Sequence, residues 1–240
     1  MTAHLRRDGF GGAAPLEDSE YAVGHYQGSG GHRQRGGGLR LYRAFGKRIL
    51  DLTIVLLTLP VTLPVILLMA GLVALDGGKP FYSQPRVGRG GRVFRIWKLR
   101  SMQVDADAAL ERHLARDPEL RAEWDAHQKL RNDPRITGVG ELLRRSSLDE
   151  LPQILNILRG EMSVVGPRPM MPDQQGLYPG RSYYDQRPGL TGLWQVTARN
   201  DSVFTFRAAC DALYARRMSL LLDLKIIFFT VAVVMRGTGR

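Results

Sequence analysis

Cysteine is nearly absent from this chain: among 240 residues only Cys210 carries a thiol. That excludes an internal disulfide and leaves no CxxC pair for zinc, which suits a reducing, cytosol-facing protein. Histidine is scarce as well. Of five, His4, His25 and His32 lie near the N-terminus, which argues against a histidine metal cage. Residues 1–39 are poor in aliphatic side chains, hold ten glycines and show no periodicity, so they read as a disordered tail. No apolar core follows Arg6-Arg7 closely, so this tail is not read as a signal peptide. The length suits one ordinary domain with appendages.

Acidic residues are also in the minority, 23 against 34 basic, for a net charge of +11. The excess is local. The tail is neutral, whereas residues 40–100 carry eleven Lys/Arg against Asp51 and Asp76. A nucleic-acid surface would interleave its cations with base-reading groups. Here they flank one apolar run, a placement suited to anionic lipid headgroups or phosphorylated lipids, so no nucleic-acid partner is expected.

That run, "LTIVLLTLPVTLPVILLMAGLVAL", extends for 24 residues from Leu52 to Leu75 without a charge. A helix of ~20 residues spans a bilayer core, so length alone permits a span. Two features favour a re-entrant helix that enters and leaves by one face. Pro60 and Pro64 each remove a backbone donor near the middle. Cations stand on both sides (Arg40, Arg43, Lys47 and Arg48, then Lys79, Arg86, Arg89, Arg92 and Arg95), contrary to the positive-inside bias of a simple span. Thr58 and Thr62 are candidates to satisfy the carbonyls freed at a bend.

Beyond it, "GGKPFYSQPRVGRGG" reads as strand and turn, and "RVFRIWKLRSM" as a short strand. Residues 103–131 are helix-prone and broken at Asp117-Pro118, with an apolar seam of Leu110, Leu114, Leu120 and Trp124. "LPQILNILRG" places Leu151, Ile154, Leu155 and Leu158 on one face of a helix ended by Gly160. "MSVVGPRP" predicts a short strand entering a rigid turn, and "RPGLTGLWQV" a turn leading into a strand. A helix is expected around 203–217. The closing apolar segment has ten uncharged residues after Lys225, too few to span, and is expected to lie on the membrane or pack under the domain.

"RRSSLDELPQILNILRG" sets Asp149 and Glu150 side by side. Ser147-x-x-Glu150 matches a capping box, which would account for Glu150 without chemistry. Pro152 fits a helix beginning near Asp149 better. In either placement Asp149 sits at a helix N-terminus, where the dipole favours an anion and lowers its pKa. Arg144, Arg145 and Arg168 are available to neutralise phosphate oxygens. An ionised Asp among arginines is what an aspartyl-phosphate mechanism requires. From this stretch alone, capping and chemistry stand about level.

Taken together, "GKRILDL", "FRIWKLRSM", "RRSSLDELPQILNILRGEMSVVGPRP" and "RPGLTGLWQVTARN" resemble, in order, motifs of the bacterial sugar transferases. These are the monotopic polyprenyl-phosphate phosphoglycosyl transferases, and the resemblance runs from about residue 41 to the end. It implies an α/β, mixed and helix-rich cytosolic catalytic domain with an N-terminal re-entrant helix and amphipathic interfacial helices. The segments would be a tail (1–39), a membrane helix broken at Pro60 and Pro64 (40–78) and a catalytic domain (79–240). Asp149 then corresponds to the nucleophile and Glu150 to its partner. Arg144 and Arg168 match arginines around the donor diphosphate, Lys98 and Arg100 a basic pair, and Arg187, Gln195 and Arg199 the substrate face. Pro64 matches the family's helix-breaking proline, with Leu63 where Ser is usual, and Ala198-Arg199-Asn200 replaces the more usual Gly-Arg-Asn.

The expected activity is transfer of sugar-1-phosphate from a UDP-sugar to undecaprenyl phosphate through a phospho-aspartyl intermediate. It would use Mg²⁺ at Asp149, at the bacterial inner membrane with the catalytic domain facing the cytoplasm. This is the first membrane step of exopolysaccharide or glycan assembly. The competing expectation is a non-catalytic, membrane-associated assembly module of the same machinery.

Overall fold

The structure, a computed structural model, describes residues 41–127, 130, 132–197 and 204–235. The expected disordered tail lies outside them. Backbone clustering separates a first unit (residues 1–54, 85–94 and 159–231) from a second (55–84, 95–158 and 232–240). The chain is mixed and helix-rich, as expected, with two small two-stranded sheets among the described residues.

The apolar run is helical throughout. A π-helical turn, Tyr42–Gly46, leads into α1, Lys47–Leu75, and both Pro60 and Pro64 lie inside it. Its 29 residues correspond to about 44 Å of helix. Thr58 donates its hydroxyl to the Val55 carbonyl at 3.3 Å. The buried Thr62 hydroxyl has no partner among the described residues, so it does not serve the carbonyls freed by the prolines. Among the described residues Tyr42–Leu75 is the one helical segment long and apolar enough to cross a membrane. Ile66, Ala70 and Val73 form a buried stripe at helical spacing, while Leu56, Leu57, Val61, Leu67 and Leu68 are exposed. A contiguous exposed apolar surface of this kind marks an interaction with lipid or protein.

In the second unit, Ala70 and Val73 of α1 pack with Leu99 and Leu143. Leu99 ends β2 (Val93–Leu99), which pairs with β1 (Phe81–Val87) across a glycine-rich turn. Arg100 follows at once and caps the end of α1. It donates to the carbonyls of Val73 at 2.9 Å, Lys79 at 3.1 Å, Met102 at 3.2 Å and Gly77. Helices α2 (Ala106–Arg116) and α3 (Pro118–His127) meet along the expected seam, where Leu110, Leu114 and Leu130 are buried against Leu120 and Trp124. Asp117 separates them and accepts from the amides of Glu119 and Leu120, an N-cap for α3. Helix α4 (Gly138–Ser146) is N-capped by Thr137, and a Cβ on Gly140 would overlap the Ser101 backbone.

The first unit contains the parallel pair β3 (Ser163–Val165) and β4 (Gly189–Thr191), in register Ser163 to Gly189 and Val165 to Thr191. Gly166 and Gly189 approach so closely that a Cβ on either would strike the other's backbone. This is the physical reason for glycine at both positions. "LWQVT" after β4 forms a short helix, α6 (Leu193–Thr197), instead of the expected continuation as a strand. Helix α7 (Phe204–Arg217) appears where expected, and α8 (Leu220–Met235) closes the described chain. On α8, Leu221, Leu224, Phe228 and Val231 are exposed while Asp223 and Ile226 are fully buried.

Two buried carboxylates tie the start of the apolar segment into this unit. Asp51 accepts from the Ser163 hydroxyl at 2.8 Å and the Val164 amide at 2.9 Å. Asp223 accepts from Tyr42 at 2.6 Å, Lys47 at 2.8 Å and Tyr214 at 2.6 Å. Both oxygens of Asp223 are thus met, as a buried charge requires, whereas Oδ2 of Asp51 is buried with no partner among the described residues.

Candidate active site

The Asp149-Glu150 pair lies in the second unit. Helix α4 stops at Ser147, whose φ of 58° puts a non-glycine residue in the left-handed region. The chain then turns through a 3₁₀ segment, Leu148–Gln153, before α5 (Ile154–Arg159). The capping box considered from the sequence does not form, because no side-chain cap bond is made at Ser147. Pro152 is accommodated inside the 3₁₀ turn.

Glu150 instead faces Lys98 of β2, with Nζ to Oε1 at 2.7 Å, and the same ammonium stands 3.6 Å from Oδ2 of Asp149. The three side chains are 13 %, 14 % and 23 % exposed for Lys98, Asp149 and Glu150, so the cluster is nearly but not wholly closed to water. Asn156, fully buried on α5, fixes the strand that carries Lys98. It donates to the Arg95 carbonyl at 2.8 Å and accepts from the Trp97 amide at 3.2 Å. Arg144 is held by the Ser101 hydroxyl at 2.9 Å.

The electrostatics differ from the helix-dipole expectation. Burial raises the Asp149 pKa above the ordinary aspartate value; Lys98 and Arg144 pull it down, Glu150 pushes it up, and the net direction is upward. Burial works against the Lys98 ammonium, but Glu150 and then Asp149 outweigh it and hold its pKa above that of ordinary lysine. The result is a carboxylate more basic than usual beside a cation that stays charged. Such a group can attack an electrophilic centre or take a proton.

The other expected residues fall as follows. Arg100 is engaged in capping α1, a structural task. Arg168, in the turn after β3, is exposed and sits 5.8 Å from the centre of the Trp194 ring. Arg187 donates to the Gly160 carbonyl at 2.8 Å; burial, then the nearby Arg48 and Arg89, lower its pKa. Gln195 donates to the Leu190 carbonyl at 3.3 Å. Arg199 lies outside the described residues.

The structure thus gathers Lys98, Arg144, Asp149 and Glu150 in one unit. In the other, Arg168 opens onto a cavity of ≈ 170 Å³ that Arg86, Trp194, Phe204, Arg207 and Asp211 also line. Arg86 stands out in the sequence only as one of the cations flanking the apolar run, and nothing there distinguishes Arg207 and Asp211 from ordinary helix residues. Asn156 was equally inconspicuous; a polar residue inside an apolar helix was the signal.

No cluster of three or more His, Cys, Asp or Glu suited to a metal occurs among the described residues. The dyad supplies two adjacent hard oxygen donors, which fits Mg²⁺, an ion commonly held by one or two carboxylates plus substrate phosphates.

Comparison with known proteins agrees with the motifs. The sequence pattern of the family described as bacterial sugar transferase matches residues 42–237. The chain is 46% identical over 197 residues to the UDP-galactose-lipid carrier transferase of Erwinia amylovora, covering 81% of this chain and 41% of that protein. It is 44% identical over 209 residues to the exopolysaccharide production protein ExoY of Sinorhizobium fredii, covering 86% and 92%. Against the undecaprenyl-phosphate galactose phosphotransferase of Salmonella typhimurium, identity is 43% over 197 residues, covering 81% and 41%. The chain therefore spans about two fifths of the Erwinia and Salmonella proteins and nearly all of the Sinorhizobium one.

Proposed function

We propose, because this chain belongs to the bacterial sugar transferase family, that it moves a sugar-1-phosphate from a UDP-sugar to undecaprenyl phosphate in exopolysaccharide synthesis. The Lys98–Asp149–Glu150 cluster carries this reading. The names of the Erwinia and Salmonella relatives supply the class of donor and acceptor.

An oxygen of Asp149 attacks the sugar-bearing phosphorus of the donor. The bond from that phosphorus to the bridging oxygen breaks, UMP leaves with the electron pair, and the phosphosugar remains on the carboxylate. A phosphate oxygen of the lipid then attacks the same phosphorus and frees Asp149. Splitting the exchange lets one site serve a soluble and a lipid substrate in turn. The raised basicity of Asp149 suits it to attack. Lys98 and Arg144 lower the repulsion between this carboxylate and an anionic diphosphate. Glu150 anchors Lys98 and positions it. Asp149, with Glu150 beside it, would hold Mg²⁺, which would supply neutralisation of the diphosphate oxygens.

The exposed apolar surface of α1 and its flanking cations support membrane attachment at the cytoplasmic face of the inner membrane. We take the segment as re-entrant, with any bend in the bilayer falling at Pro60 and Pro64. Cysteines introduced at positions 40 and 79 should be modified from the same side, and modification from opposite sides would establish a true span. Cys210 gives little background in this assay, since it is 5% exposed and burial pushes its thiol up to about 12. The central test is turnover with a UDP-sugar carrying labelled β-phosphate. Label recovered on Asp149 before lipid is added supports the mechanism, and donor consumption without any labelled protein overturns it.

A further inference from the structure

The cavity of the first unit has an unusual charge balance. Three guanidiniums, Arg86, Arg168 and Arg207, face a single lining carboxylate, Asp211, which is 7% exposed and already accepts from the Tyr178 hydroxyl at 2.9 Å. Arginines that serve the fold elsewhere in this chain have evident partners: Arg100 reaches four carbonyls, Arg187 one, and Arg135 pairs with Asp133 at 2.7 Å. Arg168 and Arg207 form no ion pair with any described carboxylate, and the buried Nε of Arg207 has no acceptor among the described residues.

What holds these two side chains is aromatic. Arg207 lies 4.3 Å from the Trp194 ring centre and 4.8 Å from that of Phe204, and Arg168 also stands over Trp194. Stacking fixes the plane of a guanidinium while leaving its N–H edge unspent. Trp194 is itself 6% exposed and engaged by both arginines, so it offers no open face to a nucleobase. Burial and then the proximity of Arg168 lower the Arg207 pKa, and Asp211 pulls it up without reversing the shift. The volume, ≈ 170 Å³, is below the ~300 Å³ typical of sites that engulf a whole small ligand. It has room for a phosphoryl group with water.

We infer that this cavity is a phosphoryl-binding subsite in which Arg207, set by Trp194 and Phe204, joins Arg168 and Arg86 as a direct ligand of a phosphate. Planar, pre-oriented N–H edges match phosphate oxygens two at a time. The phosphate belongs either to the nucleotide donor or to the lipid acceptor. That choice of sources rests on the function proposed above, whereas the binding site itself does not.

The test uses the full chain in lipid nanodiscs, carrying Asp149→Asn to prevent turnover, with binding of UDP and of undecaprenyl phosphate measured separately. Arg207→Gln should weaken one of them by about tenfold or more, the scale of a lost charge-assisted hydrogen bond, and Arg207→Lys by less. Loss for UDP alone assigns the site to the donor, and loss for the lipid alone assigns it to the acceptor. Unchanged affinity for both overturns the proposal. Should Arg207→Gln fail to fold, Arg168→Gln alters an exposed side chain and reads the same site. Thermal stabilisation by pyrophosphate, present in the parent and absent in that variant, supports the subsite, and equal stabilisation overturns it. A protein that binds normally yet never carries label on Asp149 would refute the covalent mechanism and leave this subsite standing.

Discussion

The carboxylate turn of the second unit and the arginine cavity of the first handle charge in opposite ways. At the turn, one ammonium is set between two carboxylates at 2.7 and 3.6 Å; the carboxylates hold the Lys98 pKa up, while burial raises that of Asp149 against the pull of Lys98. In the cavity, three guanidiniums line the wall with one deeply buried carboxylate, and two of them, Arg168 and Arg207, are steadied by aromatic rings. A compensated cluster is stable without ligand and can hold a nucleophile ready. An arginine-rich one is poised to gain from an incoming anion, since any ligand that binds only the native state adds stability by mass action.

The sharpest way to break this contrast is Asp149→Asn. UMP release should fall by roughly 10⁴-fold, as for removal of a nucleophile, while the thermal midpoint holds or rises because a group that burial disfavours loses its charge. Near-normal turnover would remove the turn from the chemistry. Lys98→Met should cost about 3–5 kcal/mol of unfolding free energy by stranding two carboxylates. The double variant Lys98→Met/Glu150→Gln should recover part of that loss, and strict additivity in a chemical-denaturation cycle would show that the pair is not coupled. Asn156→Leu should cost about 1–3 kcal/mol, because the Trp97 amide and Arg95 carbonyl lose their partner. A smaller cost would mean that water replaces it.

The smallest effect concerns the cavity. Burial pushes Asp211 up to about 7 from an ordinary 3.8. Between those values the unfolded chain has released this proton and the native chain has not, so the group makes stability fall as pH rises. Asp211→Asn removes that contribution. Its midpoint relative to the parent should climb by a few degrees from pH ~4 to pH ~7 and then level off. A difference flat with pH would show that Asp211 titrates normally.

Much of this architecture is legible in the residues. The strands around Gly88–Arg92, the break at Asp117-Pro118 and the seam from Leu110 to Trp124 follow from period and turn chemistry, and the adjacent carboxylates are visible as such. The helix after them is not. Its expected apolar face includes Leu155, which is 46% exposed, whereas Gln153 and Asn156 are buried. A 3₁₀ turn advances about 120° per residue against about 100° in an α-helix, so six such residues rotate the face that follows. Arg100 looked like a ligand because a cation near a motif says nothing about which carbonyls surround it. The cavity was invisible for a different reason: its lining is drawn from β1, the turn after β3, α6 and α7, and no local pattern records that convergence.

Asp51 and Asp223 make the opening of the apolar segment an integral part of the first unit. Exchanging these opening turns for a generic hydrophobic anchor would orphan the Val164 amide and the Ser163 hydroxyl and strip the buried Asp223 of Tyr42 and Lys47, at about 1–3 kcal/mol for each group left without a partner. Solubilised forms of this protein should therefore retain residues 42–51 and be trimmed only beyond them. The opening of the apolar segment and the residues around β3 and α8 share a single hydrogen-bond inventory.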